Sequence, residues 1–306
     1  MRVFQPGFIL NPILYLQSHS RLEQPDTYMI LTQCASCAVP LLHPAKQCSR
    51  CKTCYCGAAC QEQHWKEGGH DKLCKNIRKG GDAEQYNADT NYKEAVAVAD
   101  EACADDTKGQ TCYICTEAAH WKTKESLVRM CACRGTAGFA HVSCLAEQAK
   151  ILVAEGEENN LDDKARDARW QRWHTCGLCE QDYHGVVTCA LGWACWKTYV
   201  DRPELDRARR HAMNVLGNGL SGAEHDEDAL SVREAELSLL RRIGASECHM
   251  LIAKGNLAST YQLLGRLDET MSLRRDVYSG FLKLHGEEHG LTLTAAYQCA
   301  QSLLGL

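Results

Sequence analysis

Four short pairs of metal-ligating residues lie close together in the middle of the chain. They supply seven cysteines and one histidine, arranged as Cys112-x2-Cys115, Cys131-x-Cys133, His141-x2-Cys144 and Cys176-x2-Cys179. Each pair is short enough to hold one metal ion from two sides, so four pairs suit two ions. Thiolate and imidazole in a tetrahedral array are ligands that zinc prefers, and zinc brings no redox chemistry. We therefore expect two zinc ions in this segment.

A similar set of four pairs lies nearer the N-terminus. It consists of Cys34-x2-Cys37, Cys48-x2-Cys51, Cys56-x3-Cys60 and His70-x3-Cys74. So short a segment has too little core to fold unaided, and metal binding would supply the folding energy. We expect two more zinc ions here, which makes four ions in the chain.

Two ligand positions in this first set have competitors. We predict a short helix over Cys60–Cys74, and the i, i+4 spacing of His70 and Cys74 places both on one helical face. We therefore prefer His70 to His64 as the ligand. Cys54 lies between Cys51 and Cys56 and could replace either of them.

The overall composition excludes some classes of protein. The chain has 306 residues, enough for two or three compact units, and its net charge of −5 gives no electrostatic case for binding nucleic acid. Twenty cysteines could indicate a secreted disulfide framework. However, most of them occur as close pairs interleaved with histidines, which suits metal ions better. We expect a soluble protein of a reducing compartment, the cytosol or nucleus.

Residues 1–33 are the least informative part of the chain. Two short apolar runs, 8–10 and 13–16, are separated by Pro12, whereas a signal peptide has a basic start and an unbroken apolar run. We expect a poorly ordered tail rather than a targeting segment.

Residues 34–74 resemble the MYND-type zinc finger. The resemblance rests on Tyr55-Cys56, Cys60-Gln61, Trp65, His70 and Cys74. It implies interleaved ligands, with Cys34, Cys37, Cys56 and Cys60 on one zinc and Cys48, Cys51, His70 and Cys74 on the other. The gap from Cys51 to Cys56 is one residue shorter than is usual in that family. The resemblance implies a docking surface for short, often proline-rich peptides, and no catalysis.

Residues 75–111 are interpreted as a linker between the two sets. A basic run ends at Gly80-Gly81, and an alanine-rich stretch over 92–104 predicts a helix. We expect this helix to be a solvated spacer.

The local pattern around the second set predicts turns followed by a helix. Cys131-x-Cys133 suits a knuckle-like turn, and Gly135 and Gly138 allow the chain to turn back before His141. A helix is predicted from His141 through Leu152. The charged stretch 155–164 is interpreted as a loop.

Residues 112–180 resemble the RING-CH (RING-variant) finger. The resemblance rests on the histidine as fifth ligand and on the run Cys-x-Cys-Arg-Gly followed by His-x2-Cys-Leu. The PHD finger shares the ligand order but lacks the Cys-Arg-Gly run. The resemblance implies that Cys112, Cys115, His141 and Cys144 hold one zinc. It implies that Cys131, Cys133, Cys176 and Cys179 hold the other.

A RING-CH finger implies ubiquitin-protein ligase activity, which works by positioning rather than by a nucleophile. The resemblance places Ile114 where family members contact the ubiquitin-conjugating enzyme. Three positions depart from the pattern: Gln148 replaces a common Trp, Gly177-Leu178 lacks a common Pro, and Glu180 stands where active RINGs carry Arg or Lys. A scaffold without catalytic activity is therefore the alternative.

Residues 181–204 are interpreted as a connecting segment. Its apolar run, Val186–Trp196, has about eleven residues, whereas a membrane span needs about twenty. We expect a helix that packs against the finger or against the helices that follow.

Residues 205–306 show a period of forty-two. Leu251 recurs as Leu293, Ala253 as Ala295, Ala258 as Ala300, Gly244 as Gly286, and Asn214 as Asn256. The stretch 255–269 and the run 286–289 resemble the tetratricopeptide repeat of the kinesin-light-chain type, which implies protein or peptide docking on a concave face. Helices are predicted over 205–219, 227–243, 249–264, 268–284 and 291–304. The last one lacks a partner helix, so we expect either a truncated version of a longer array or a partner that covers this helix.

Several other residues in the second half are given no role in metal binding. His225, His249 and His289 are interpreted as surface residues of loops. Cys189, Cys195, Cys248 and Cys299 are interpreted as small buried apolar residues.

The predicted fold class is therefore mainly α, with two small zinc-stabilised cross-brace modules and a C-terminal helical solenoid. The leading functional hypothesis is a zinc-binding ubiquitin-protein ligase. Its RING-CH finger would recruit a conjugating enzyme, and its MYND finger and repeats would recruit substrates. The alternative is a zinc-finger and repeat scaffold for protein interactions. Neither hypothesis involves nucleic acid or a membrane.

Overall fold

The computed structural model of the chain describes residues 34–37, 39, 41 and 45–304. The tail predicted over 1–33 lies outside the described residues. The described part is mostly helical, which confirms the predicted class. Its α-helices are α1 (Ala58–Lys66), α2 (His70–Lys79), α3 (Ala83–Cys103), α4 (Val142–Glu158), α5 (Asp163–Trp170), α6 (Gly185–Tyr199), α7 (Arg207–Gly222), α8 (Asp226–Arg242), α9 (Glu247–Leu263), α10 (Leu267–His285) and α11 (Gly290–Leu304).

The first set of ligands is carried by a small hairpin and two helices. Strands β1 (Lys46–Gln47) and β2 (Cys54–Tyr55) pair antiparallel, with Lys46 opposite Tyr55. The prediction of a single helix over Cys60–Cys74 is wrong. The helix is interrupted at Gly68 and Gly69, which separate α1 from α2. Gly69 has a φ of 72°, which favours glycine. Its neighbour Gly68 has no room for a side chain, since a Cβ there would lie 2.2 Å from the His64 ring.

Helix α3 is a core element and not a solvated spacer, so that prediction is wrong. It begins at Ala83, with Asp82 as its N-cap, and runs for 21 residues. Its buried face consists of Ala88, Tyr92, Val96, Ala99 and Cys103, which pack in the main core of the molecule. Helix α3 packs against α6.

Helix α6 lies at the centre of the molecule and packs against α3, α4 and α7. The prediction of a packed helix over Val186–Trp196 is confirmed. Almost every side chain from Val187 to Trp196 is buried. The α6–α7 contact depends on glycine, because a Cβ on Gly219 would lie 2.6 Å from the carbonyl oxygen of Thr188.

The described residues contain no helix that is both long enough and apolar enough to cross a membrane. Helix α6 is the most apolar of them, and its apolar side chains are covered by neighbouring helices.

The charged stretch 155–164 is largely helical, so the predicted loop is wrong there. Helix α4 continues to Glu158, and α5 begins at Asp163. Long-range ion pairs hold this region to the segment around α7. Arg202 binds Glu157 with two hydrogen bonds, and Arg207 binds both Asp163 and Asp167. A short 3-10 helix, Gln171–Trp173, then leads to the last ligand pair.

Helices α7 to α11 each pack against the next one in the chain. All five begin and end within three residues of their predicted bounds. Gly244 and Gly286 follow α8 and α10 with positive φ, as expected for helix ends. His249 lies inside α9, so its assignment to a loop is wrong. Cys189 and Cys195 are buried as predicted, whereas Cys248 and Cys299 are only half-buried.

The second ligand set and the first C-terminal helices share one hydrophobic core. One cluster of buried side chains runs from α3 through the second ligand set and α6 into α7 and α8, as far as Leu239. Three smaller clusters lie elsewhere in the described residues: one includes Tyr55 and Ile77 beside the first ligand set, one includes Leu257, and one includes Val277. The second ligand set and the first helices of the C-terminal region therefore form one packed body.

Candidate metal centres

The sixteen predicted ligands lie in four groups of four. Within each group the ligand atoms lie within 4.8 Å of one another. The groups alternate along the chain as the two resemblances imply. Site 1 is Cys34, Cys37, Cys56 and Cys60; site 2 is Cys48, Cys51, His70 and Cys74; site 3 is Cys112, Cys115, His141 and Cys144; site 4 is Cys131, Cys133, Cys176 and Cys179.

Site 1 is the most exposed of the four groups. The sulfur of Cys56 lies 3.4 Å from that of Cys60 and 3.6 Å from that of Cys37. Cys34 is buried beneath them. Helix α1 carries Cys60, and the turn before α1 carries Cys56.

Site 2 is fully buried and includes His70 rather than His64. Nε2 of His70 lies 3.4 Å from the Cys51 sulfur. His64 instead pairs through Nδ1 with the Tyr55 hydroxyl at 3.1 Å. The Cys51 carbonyl accepts a 3.0 Å hydrogen bond from the amide of Ala83, the first residue of α3. Site 2 is thus tied directly to the start of α3.

Cys54 lies outside both groups of the first set, so the structure does not bring it into a ligand position. Its sulfur accepts a hydrogen bond from the Gln47 side chain at 3.5 Å. Burial raises the pKa of the Cys54 thiol, and the hydrogen bond from Gln47 only partly offsets this effect. Cys54 is therefore kept as a neutral thiol.

Site 3 joins the loop at Cys112 to the start of α4. Nδ1 of His141 lies 3.4 Å from the Cys115 sulfur and 3.6 Å from the Cys144 sulfur. The backbone folds tightly around Cys112, whose sulfur accepts the Ile114 amide at 3.4 Å. Cys144 lies in the first turn of α4, so the helix fixes its position.

Site 4 depends on a glycine that no other residue can replace without strain. Gly138 has a φ of 86°, and a Cβ there would lie 2.6 Å from Cβ of Cys133 and 2.9 Å from its sulfur. The Cys176 sulfur lies 3.8 Å from that of Cys133 and accepts the Leu178 amide at 3.4 Å. Gly138 thus lets the chain pass close over the ligand pair.

The four groups share an electrostatic pattern that suits a dication. In each group, burial acts to raise the pKa of one cysteine, but hydrogen bonds from backbone amides lower it on balance. The pKa falls to about 6 for Cys34 and about 7 for Cys176, and it is also lowered for Cys48 and Cys112. The pKa of several other thiols is raised by burial and by the neighbouring thiols, as for Cys133, at about 11.

This donor chemistry fits zinc. Each group contains one thiol whose pKa is lowered and at least one whose pKa is raised by burial and by the neighbouring thiols. A bound dication would offset the repulsion between neighbouring thiolates, and the donors are four sulfurs, or three sulfurs and one nitrogen. Zinc in such a site has four protein ligands, so it would supply folding energy and leave no open position for a reacting water.

A shallow apolar groove lies beside site 3. Its volume is about 400 Å³, and its lining includes Ile114, Trp121, Gln148, Ile151 and Leu152. Trp121 is 69% exposed, which is unusual for so large an aromatic side chain. Sequence reasoning singled out Ile114 but missed Trp121, although a tryptophan in a run of polar residues is a visible signal.

The residue after the last ligand has an uncommon backbone conformation. Glu180 has a φ of 56°, in the left-handed region, because its amide closes a turn onto the Cys176 carbonyl at 3.1 Å. Neighbouring Leu178 is 51% exposed. Both side chains are therefore accessible to a partner next to site 4.

Comparison with known families identifies one domain. Residues 112–160 match the RING-variant domain. The match ends before Cys176 and Cys179, which the structure brings to Cys131 and Cys133. A comparison with curated proteins finds no match. The chain is thus a mostly helical protein that contains a RING-variant domain and four Cys/His groups able to bind zinc.

Proposed function

We propose that the protein is a zinc-dependent ubiquitin-protein ligase whose RING-variant domain recruits a ubiquitin-conjugating enzyme. The observation that carries this proposal is the apolar groove beside site 3. It exposes Ile114, Trp121 and Ile151 on a surface that the metal ligands and α4 hold rigid. Exposed apolar side chains grouped on a rigid surface are typical of protein interaction sites.

In such a ligase the protein contributes by positioning. Its role is to hold the conjugating enzyme and the thioester-linked ubiquitin in a reactive arrangement. Site 3 fixes the loop that carries Ile114 on one side of the groove, and α4 forms the other side. The chain needs no nucleophile or open metal position for this reaction.

Substrate recruitment is assigned to the two remaining surfaces. The resemblance of residues 34–74 to the MYND finger supports the docking of short peptides there. The repeat pattern of α7 to α11 supports a tetratricopeptide-like solenoid that docks proteins or peptides. Because these surfaces share a core or a direct hydrogen bond with α3, a bound substrate would be held at a fixed distance from the groove.

The sixteen ligand positions also favour a compartment. Thiolates in close pairs remain available for zinc only where disulfides are not formed. We therefore assign the protein to the cytosol or nucleus.

A scaffold without catalytic activity is the second candidate, and two observations favour it. Gln148 occupies the groove where an aromatic residue is common, and Glu180 presents a negative charge next to site 4. In this reading the same groove binds a protein partner but transfers no ubiquitin.

The test is an autoubiquitination assay with the zinc-loaded chain and a panel of conjugating enzymes. We expect ubiquitin transfer with at least one enzyme, and Ile114→Ala should reduce it about tenfold or more. Ile252→Ala is the matched control, because Ile252 is similarly exposed but lies on α9. Absence of transfer with every enzyme would support the scaffold. If Glu180→Arg alone then produced ubiquitin transfer, the domain would be a ligase that has lost its activity through this residue.

A further inference from the structure

The last helix carries an apolar stripe that no described residue covers. Leu293, Tyr297, Ala300 and Leu304 are spaced four, three and four residues apart, which places them on one face of α11. All four are exposed; the fraction is 57% for Leu293 and for Tyr297. The opposite face holds Thr292 and Ala295, which are buried.

Two positions of this stripe have buried equivalents one period earlier. On α9, Leu251 and Ala258 correspond to Leu293 and Ala300, and both are buried. Helix α10 packs on Leu251, and Gly280 makes room: a Cβ there would lie 2.6 Å from a methyl carbon of Leu251. The other two positions, those of Tyr297 and Leu304, correspond to the half-buried Gly255 and Gln262, so α11 presents more apolar surface along this face than α9 does.

The order of side chains along the α11 stripe is symmetric. The midpoint of positions 293 and 304 falls between Gln298 and Cys299, and so does the midpoint of positions 297 and 300. An antiparallel copy of α11 centred there would set Leu293 against Leu304 of the partner subunit. It would also set Tyr297 against Ala300 of the partner subunit, so a large side chain would face a small one.

We propose that a second copy of the chain covers this stripe, with the two α11 helices packed antiparallel across a twofold axis. Charge is compatible with self-pairing, since residues 290–304 contain no Asp, Glu, Lys, Arg or His. The contact is isologous, which means that the same residues of both copies form it.

The expected dimer is weak and reversible. Helix α11 has 15 residues and is therefore about 22 Å long. Two helices of that length bury less surface than the roughly 1,600 Å² of a standard interface. We expect a dissociation constant on the order of 10 to 100 µM, reached at high local concentration.

Sedimentation velocity of the zinc-loaded full chain, from about 1 to 300 µM, measures this association. Leu293→Glu places a charge at two symmetric positions and should weaken the dimer at least tenfold. Thr294→Glu is the matched control, since Thr294 is exposed on the same turn but off the stripe. It should change the dissociation constant less than about twofold. A chain that stays monomeric at every concentration overturns the proposal.

A charge exchange tests the antiparallel register. Leu304→Lys alone should weaken the dimer as Leu293→Glu does. The double variant Leu293→Glu/Leu304→Lys sets each Glu against a Lys of the partner subunit and should recover dimerisation to within about tenfold. Failure of the double variant to recover, or equal weakening by Thr294→Glu, contradicts the assigned pairing. Association of α11 with a different protein while the chain stays monomeric also contradicts it.

Discussion

Tyr92 of α3 donates a 2.8 Å hydrogen bond to Glu125, a buried carboxylate in the loop between Cys115 and Cys131. The other oxygen of Glu125 accepts the amide of Ser143 at 2.9 Å. Ser143 lies between the site 3 ligands His141 and Cys144. Helix α3 is therefore joined to site 3 through one carboxylate.

Tyr92→Phe should destabilise the protein by about 1–3 kcal/mol, because it leaves one oxygen of a buried carboxylate without its donor. The free energy of unfolding in urea, with zinc present, measures the effect. Tyr278→Phe is the control, since Tyr278 is half-buried and its hydroxyl makes no hydrogen bond among the described residues. Equal losses in the two variants would mean that the Glu125 contact contributes nothing.

Zinc content should be four ions per chain, and the effect of cysteine substitutions should depend on position. Cys133→Ala removes a ligand of site 4 and should lower the count to about three. Cys54→Ala should leave it at four, because Cys54 lies outside every group. Metal analysis of the purified proteins measures both. A loss of zinc from Cys54→Ala would place that residue in site 1 or site 2.

Ligand positions could be predicted from the sequence because they are set by local spacing. Pairs such as Cys112-x2-Cys115 can form only a tight turn, and the histidine in each set precedes its partner cysteine by three or four residues, a helical spacing. The helices of the C-terminal region were predictable for a similar reason, because glycine and a repeated pattern of small residues mark their ends and contacts.

The remaining features depend on contacts between distant parts of the chain. Helix α3 reads as polar and alanine-rich, and nothing in residues 83–103 indicates that α6 covers it. Residues 155–170 form ion pairs with Arg202 and Arg207, about forty residues further along, and their own sequence does not indicate these contacts. Trp121 forms part of the groove only because α4 folds back beside it.

Removal of zinc with a strong chelator should unfold more than the two metal-binding segments. The core around sites 3 and 4 continues through α6 into α7, so α7 should lose its protection together with α3 and α6. Helices α9 and α10 have clusters of their own and should remain largely folded. Hydrogen exchange by mass spectrometry, before and after chelation, resolves these helices. Full protection of α7 without zinc would show that the cores are independent.

Gly138→Ala should weaken site 4 strongly. The positive φ at this position and the 2.6 Å distance from the added Cβ to Cβ of Cys133 should together lower the free energy of unfolding by about 2–4 kcal/mol. The rate of zinc transfer to a coloured chelator should rise accordingly. Gly135→Ala is the matched control, because Gly135 has a φ of 62° but no neighbour within 4 Å of an added Cβ. It should cost only about 1–2 kcal/mol. Identical transfer rates would mean that backbone conformation alone matters.

Alanine substitutions at two glycines inside helices should change the free energy of unfolding in opposite directions. Gly219→Ala forces a methyl group to within 2.6 Å of the Thr188 carbonyl oxygen, so α6 and α7 must separate at the centre of the main core. We expect a loss of about 2–4 kcal/mol in the free energy of unfolding. Gly255 lies in α9 with open space around an added Cβ, so Gly255→Ala should stabilise by about 0.5–1 kcal/mol. Urea titration followed by circular dichroism separates the two effects. Stabilisation by both substitutions would show that α6 and α7 do not cross as closely as their glycines allow.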